Sequence, residues 1–139
     1  MKVFFVLVVV LGAVVAACAT DDNSAQRKVI PYKEMLARNQ EAISRLALGM
    51  SKDDVITIMG TYSAKTRNGF LLNPMKAESF TVGADVYEKL LYVTSPHRWF
   101  AAVNDSQATP VVLKNGKVVG WGKVAADAIG GKLGESTSP

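Results

Sequence analysis

Pro110-Val-Val-Leu-Lys114, Asn115-Gly116, Lys117-Val-Val-Gly-Trp121 is the most clearly structured stretch of the 139-residue chain. Two apolar-rich runs flank an Asn-Gly pair, the dipeptide suited to a two-residue type I′ hairpin because both turn residues take positive φ. The register set by that turn pairs Lys114 with Lys117, Leu113 with Val118, Val112 with Val119 and Pro110 with Trp121. Leu113, Val118, Val111 and Gly120 then share one face, while Lys114, Lys117, Val112, Val119, Pro110 and Trp121 share the other. The lysine-bearing face is the wetter one, which sends Leu113 and Val118 inward. Gly120 leaves room for a close helix–sheet approach.

Upstream, Phe80 and Val82 alternate with Ser79 and Thr81, which predicts a strand over 78–82. Gly83-Ala84-Asp85 turns the chain into a second strand over 86–94, apolar on both sides near its middle and therefore central. Further upstream the apolar period changes. Met35, Leu36, Ala42, Ile43 and Leu46 recur at helical spacing after Pro31, and Gly49 ends that helix. Ser51 caps a second, short helix with Asp53 and Asp54 in its first turn and Gly60 as its stop. Thr61 to Pro74 reads as a long connection, Ser95 to Thr109 as a loop, and Lys123 to Ile129 as a short terminal helix. The expected fold is α+β, with two N-terminal helices packed on one face of a three- to four-stranded antiparallel sheet.

The first eighteen residues follow a different logic. Lys2 precedes fifteen uninterrupted apolar residues that end in small ones, and Cys18 closes the run before the polar Ala19-Thr-Asp-Asp-Asn-Ser24. That is the pattern of an export signal. The run is short for a bilayer span, which needs about 20 apolar residues. Val15-Ala16-Ala17-Cys18 resembles a bacterial lipobox, in which the cysteine is acylated and the chain is cut before it. The expected organisation is a signal peptide over 1–17, a lipidated tether over 18–30, a folded domain over 31–129 and a tail over 130–139.

Removing residues 1–17 from 139 leaves 122, enough for one small domain. The formal charge of +4 is spread along the chain among acids, without a nucleic-acid-binding run. Cys18 is the only cysteine, so no disulfide framework and no thiolate metal site is expected. His97 is the only histidine and has no partner of metal-ligand or nucleophile-base spacing near it in sequence. Asp53 and Asp54 are explained by the helix start. No cofactor, metal or catalytic set is expected, apart from covalent lipid on Cys18. The candidate interaction residues are aromatic and apolar: Trp99 and Phe100 in the loop, with Val112, Val119 and Trp121 on the wetter hairpin face. Plain packing is the competing reading, with the 95–109 loop or the C-terminal segment folded over that face.

Leu48-Gly-Met-Ser-Lys-Asp-Asp-Val-Ile-Thr-Ile-Met-Gly60 resembles the helix motif of the SmpA/OmlA (BamE-like) family of bacterial outer-membrane lipoproteins. The 87–94 strand and the 109–122 hairpin are similar to that family's strand segments, so the resemblance covers roughly residues 31 to 122. It departs at Thr61-Tyr62, where the family usually has a proline. The resemblance implies a lipid-anchored, periplasm-facing scaffold that works through protein contacts. Ala19 after the cysteine, where an aspartate is absent, resembles the outer-membrane sorting signal. The expected function is an accessory lipoprotein that binds another envelope protein in outer-membrane assembly or maintenance. The alternative is a cell-wall or lipid ligand-binding module.

Overall fold

Asn115 and Gly116 take φ of 49° and 77°, so the hairpin closes through the expected turn and Lys114 faces Lys117. The computed structural model describes residues 27–97 and 102–135. Cys18, Trp99 and Phe100, named above as site residues, lie outside the described residues. In chain order the elements are β1 (Lys28–Pro31), α1 (Tyr32–Ile43), α2 (Lys52–Met59), β2 (Tyr62–Thr66), β3 (Gly69–Leu72), β4 (Lys76–Val82), β5 (Asp85–Val93), β6 (Ala108–Lys114), β7 (Lys117–Trp121) and α3 (Lys123–Glu135).

This overturns the expected architecture. The described chain opens on a strand rather than a helix, and its strands form two sheets, β1-β2-β3 and β4-β5-β6-β7. The smaller sheet contains a parallel pair, β1 with β2. β1 occupies residues assigned to the tether, and α3 runs through Gly130 to Glu135, where a tail was expected. The stretch read as a connection, 61–74, holds β2 and β3. Tyr62 and Ala64 share one face of β2 and Ser63 and Lys65 the other, but Tyr62, Ser63 and Ala64 are all buried, and Ser and Ala leave the period-two pattern faint in sequence.

The main core lies between α1, α2 and the larger sheet. Ala42, Leu46, Val55 and Met59 meet Leu90, Tyr92, Val111, Leu113 and Val118. Burying each larger aliphatic side chain contributes about 1.5–3 kcal/mol relative to exposure. Ser51 starts α2 with a reciprocal cap. Its hydroxyl accepts from the Asp54 amide at 3.2 Å, and the Asp54 carboxylate accepts from the Ser51 amide at 3.2 Å. The residues just before α2 bind the β7 edge, with Gly49 N–H donating to the Val118 carbonyl and Val118 N–H to the Met50 carbonyl. An edge strand is thereby covered.

The hairpin register shifts after Leu113–Val118. Val112 faces Gly120 and Val111 faces Trp121, so Val119 is the extra residue of a bulge. The slip exchanges faces. The exchange concerns Gly120 and Trp121: Trp121 packs against the main core, while Val112 keeps the face opposite Leu113 and joins Tyr87 and Ile129 in a second cluster under α3. Gly120 does receive a helix closely, but the helix is α3, on the face opposite α1 and α2. A Cβ built on Gly120 would stand 2.8 Å from the Ala125 Cβ.

Candidate functional site

The hairpin face expected to bind a partner does not exist as a patch. Val112 is buried, Trp121 is half-buried against the core, and Val119 alone of the three is exposed. The C-terminal helix α3 covers Val112, whereas Trp121 has turned to the opposite face and packs against the main core. The sequence carried one clue: Ala125, Ala126 and Ile129 present small and apolar side chains to that face.

An uncovered apolar surface lies instead on the smaller sheet. β1, β2 and β3 are registered so that Ile30 meets Ala64 and Ala64 meets Leu71. These inner residues pack with Met35 and Tyr62, and Tyr32 closes the cluster. Because side chains alternate along a strand, the neighbours of these residues occupy the outer face. Val29, Ser63 and Leu72 form one outer row, in which Ser63 itself is buried, and Pro31, Lys65 and Phe70 the next. Phe70 is 66% exposed, Val29 54% and Leu72 45%. Three large apolar side chains on one short sheet face, left open to water, are the kind of surface a partner covers.

The sheet holds these side chains on a fixed base. Thr66 Oγ1 donates to the Gly69 carbonyl at 2.9 Å across the β2–β3 turn, and Gly69 takes φ of 120°. Beneath the sheet, Tyr62 donates its hydroxyl hydrogen to Asn39 Oδ1 at 3.0 Å. Burial pushes the Tyr62 phenol pKa up, with the nearby Arg38 guanidinium opposing, so the hydroxyl stays a donor. Arg38 also lies over the Tyr62 ring and pairs with Glu34.

The surroundings of this face are basic. Segments 27–33 and 62–72 carry Arg27, Lys28, Lys33, Lys65 and Arg67 and no acidic residue. The larger sheet is different in kind, with Lys52–Glu88, Lys76–Glu78, Lys89–Glu78 and Lys114–Asp85 pairs binding its charges together.

The concave features build no reactive constellation. A groove of about 450 Å³ between α1 and α2 is lined by Arg38, Glu41, Arg45 and Tyr62. A cleft of about 520 Å³ beside α3 mixes Lys89 and Lys123 with Asp105 and Asp127. Among the described residues no cluster of three His, Cys, Asp or Glu side chains is placed to hold a metal. His97 rests its ring edge-on against Tyr32, with centroids 4.7 Å apart. Among the described residues no helix is long and apolar enough to cross a membrane.

A family model described as "Protein of unknown function (DUF3192)" matches residues 12–128, a span that includes Cys18, both sheets and the start of α3. No curated protein and no solved structure matches the chain.

Proposed function

The chain belongs to the DUF3192 family, and we propose that it is a lipid-anchored accessory protein on the periplasmic side of a bacterial outer membrane. It acts there by docking to another envelope protein, in assembly or maintenance of that membrane, and not by catalysis. The observation that carries this reading is the position of the uncovered sheet face relative to Cys18. Only ten residue-to-residue steps separate the cysteine of the lipobox-like segment from Lys28, the first residue of β1. Fully extended, they span at most about 33 Å. A folded domain held that close to a bilayer, with apolar side chains on the sheet that starts at the tether, is suited to envelope contacts.

Intact-mass analysis of the native protein, combined with membrane fractionation, tests the anchor. A chain beginning at Cys18, carrying acyl groups and sedimenting with the outer membrane, is expected. An unacylated chain in the soluble fraction overturns the reading. Cross-linking in intact cells tests the docking role: one defined envelope protein is expected in stoichiometric yield, and its absence counts against it.

A further inference from the structure

Strand β4 is the long edge that the larger sheet leaves open. We propose that it pairs antiparallel with β4 of a second copy of this chain, about a two-fold axis at Ala77, joining two four-stranded sheets edge to edge. The proposal depends neither on the lipid anchor nor on the envelope partner above.

Folded proteins commonly blunt their edge strands, because free N–H and C=O groups invite another strand. Three of the four edges here follow that rule. Gly49 and Met50 bind the outer side of β7, and β1 and β3 are only four residues each. β4 is seven residues long, holds no proline and, among the described residues, pairs with β5 alone. Two hydrogen bonds assign its free backbone groups. The Val86 carbonyl, opposite Thr81, turns away from β4 and accepts from the Asn115 amide. The Leu91 carbonyl, at the other end of the pair, turns towards the β4 side and accepts from the Met75 amide. Alternation along an antiparallel ladder then directs the N–H and C=O of Ala77, Ser79 and Thr81 outward. All three side chains are small and exposed, so none bars a neighbouring strand.

Charge selects the occupant and the register. Lys76 and Glu78 flank Ala77 on one face of the strand and pair with each other at 2.5 Å. Each keeps a second partner in its own chain, Asp105 for Lys76 and Lys89 for Glu78. A two-fold axis at Ala77 sets Lys76 opposite the partner's Glu78 and Glu78 opposite the partner's Lys76. Four charges then alternate in sign around the axis, and opposite charges facing across a strand pair are stabilising. An axis at Ser79 instead sets Glu78 opposite the partner's Phe80 and brings the two Glu78 side chains onto one diagonal. A strand from an unrelated protein could fill the same backbone groups. A second copy supplies the complementary charges by symmetry.

Single cysteines in the full-length chain test the pairing in isolated membranes under mild oxidation. Ala77→Cys lies at the axis, where paired Cα atoms stand about 5.5 Å apart, within disulfide reach. Thr81→Cys is a control on the same edge, about 26 Å from its counterpart along the extended strands. A disulfide dimer is expected at 77 and not at 81. Further changes are made in the Ala77→Cys chain. Ser79→Pro removes an outward N–H from each copy and no bond to β5, so cross-linking should fall about tenfold while the thermal melt stays near that of its parent. Glu78→Lys should lower cross-linking about fivefold, and co-production with a Lys76→Glu chain should restore it in mixed dimers.

No dimer at 77, or equal yields at 77 and 81, overturns the proposal. So does a dimer at 77 that survives Ser79→Pro or, should that variant not fold, one indifferent to Glu78→Lys. Position 77 shielded from a soluble maleimide yet not cross-linked gives the edge to another occupant, and this too overturns it. A dimer from the chain without an added cysteine reports a free Cys18 and defeats the anchor reading alone. Peptide mapping then separates that link from one at 77.

Discussion

Asn39 and Asn73 exchange side-chain amide hydrogen bonds: Nδ2 of each donates to Oδ1 of the other, at 2.9 and 3.0 Å. Both residues are fully buried. Asn39 also donates to the Val93 carbonyl on β5, and Asn73 donates to the Met59 and Gly60 carbonyls at the end of α2. Tyr62 on β2 donates to Asn39. One polar cluster thus ties α1, α2, the smaller sheet and the larger sheet together, with every amide hydrogen and oxygen engaged. The great majority of buried polar groups in protein cores are satisfied in this way.

Truncating either asparagine orphans the other. Asn39→Ala or Asn73→Ala is expected to cost about 2–4 kcal/mol, because the remaining amide and the freed backbone carbonyls stay buried without partners. Urea denaturation measures the loss, and a change under about 0.5 kcal/mol would sink the account of the seam.

Trp121 belongs to the core rather than to a docking patch. Trp121→Ala is expected to lower stability by about 1–3 kcal/mol, since a half-buried indole leaves part of the cost of full truncation. Cross-linking yield should be unchanged in the surviving folded fraction. Loss of partner capture without loss of stability would return Trp121 to the surface role read from the sequence.

The contrast between those residues marks what the sequence makes legible. The turn at Asn115-Gly116, the cap at Ser51 and the stops at Gly49 and Gly60 are local, set by φ and by hydrogen bonds within a few residues. The bulge at Val119 is not local. It adds one residue to β7, reverses the faces beyond it and moves Trp121 into the core. Asn39 lies on the buried stripe of α1, between Met35 and Ala42, but a polar residue there reads as solvent-facing until Asn73 is brought to it from elsewhere in the chain. The outer sheet face was hidden for a related reason. Phe70 and Leu72 sit two apart on β3, but Val29 joins them only through β2.

Gly120 sets the distance between β7 and α3. Its missing Cβ would fall 2.8 Å from the methyl of Ala125, a contact neither side can rotate away from. Gly120→Ala should therefore push α3 outward and destabilise the domain by about 1–3 kcal/mol. Adding Ala125→Gly should recover part of that loss, less the helix penalty of about 1 kcal/mol for the new glycine. A double variant no more stable than Gly120→Ala alone would show that α3 does not bear on β7 at this point.

Acid should weaken the larger sheet through Glu78. Hydrogen bonds from Lys76, at 2.5 Å, and from Lys89 hold its carboxyl pKa below the usual carboxylate range, against a smaller opposing effect of burial. A carboxyl with a depressed folded-state pKa adds stability above its unfolded pKa and loses it as pH falls through the folded value. The contribution is complete at neutral pH and fades below about pH 4. Both lysines are partly solvated, which limits the effect to under about 1 kcal/mol. Asp54, held low chiefly by the Ser51 hydroxyl, titrates in the same sense at the start of α2. Glu78→Gln keeps the shape and removes the charge, so it should be less stable than wild type at pH 7 and converge with it at about pH 3. Thermal melts of both proteins across that range decide the point. Curves that stay parallel at every pH would mean that the Glu78 pairs with Lys76 and Lys89 contribute nothing to the fold.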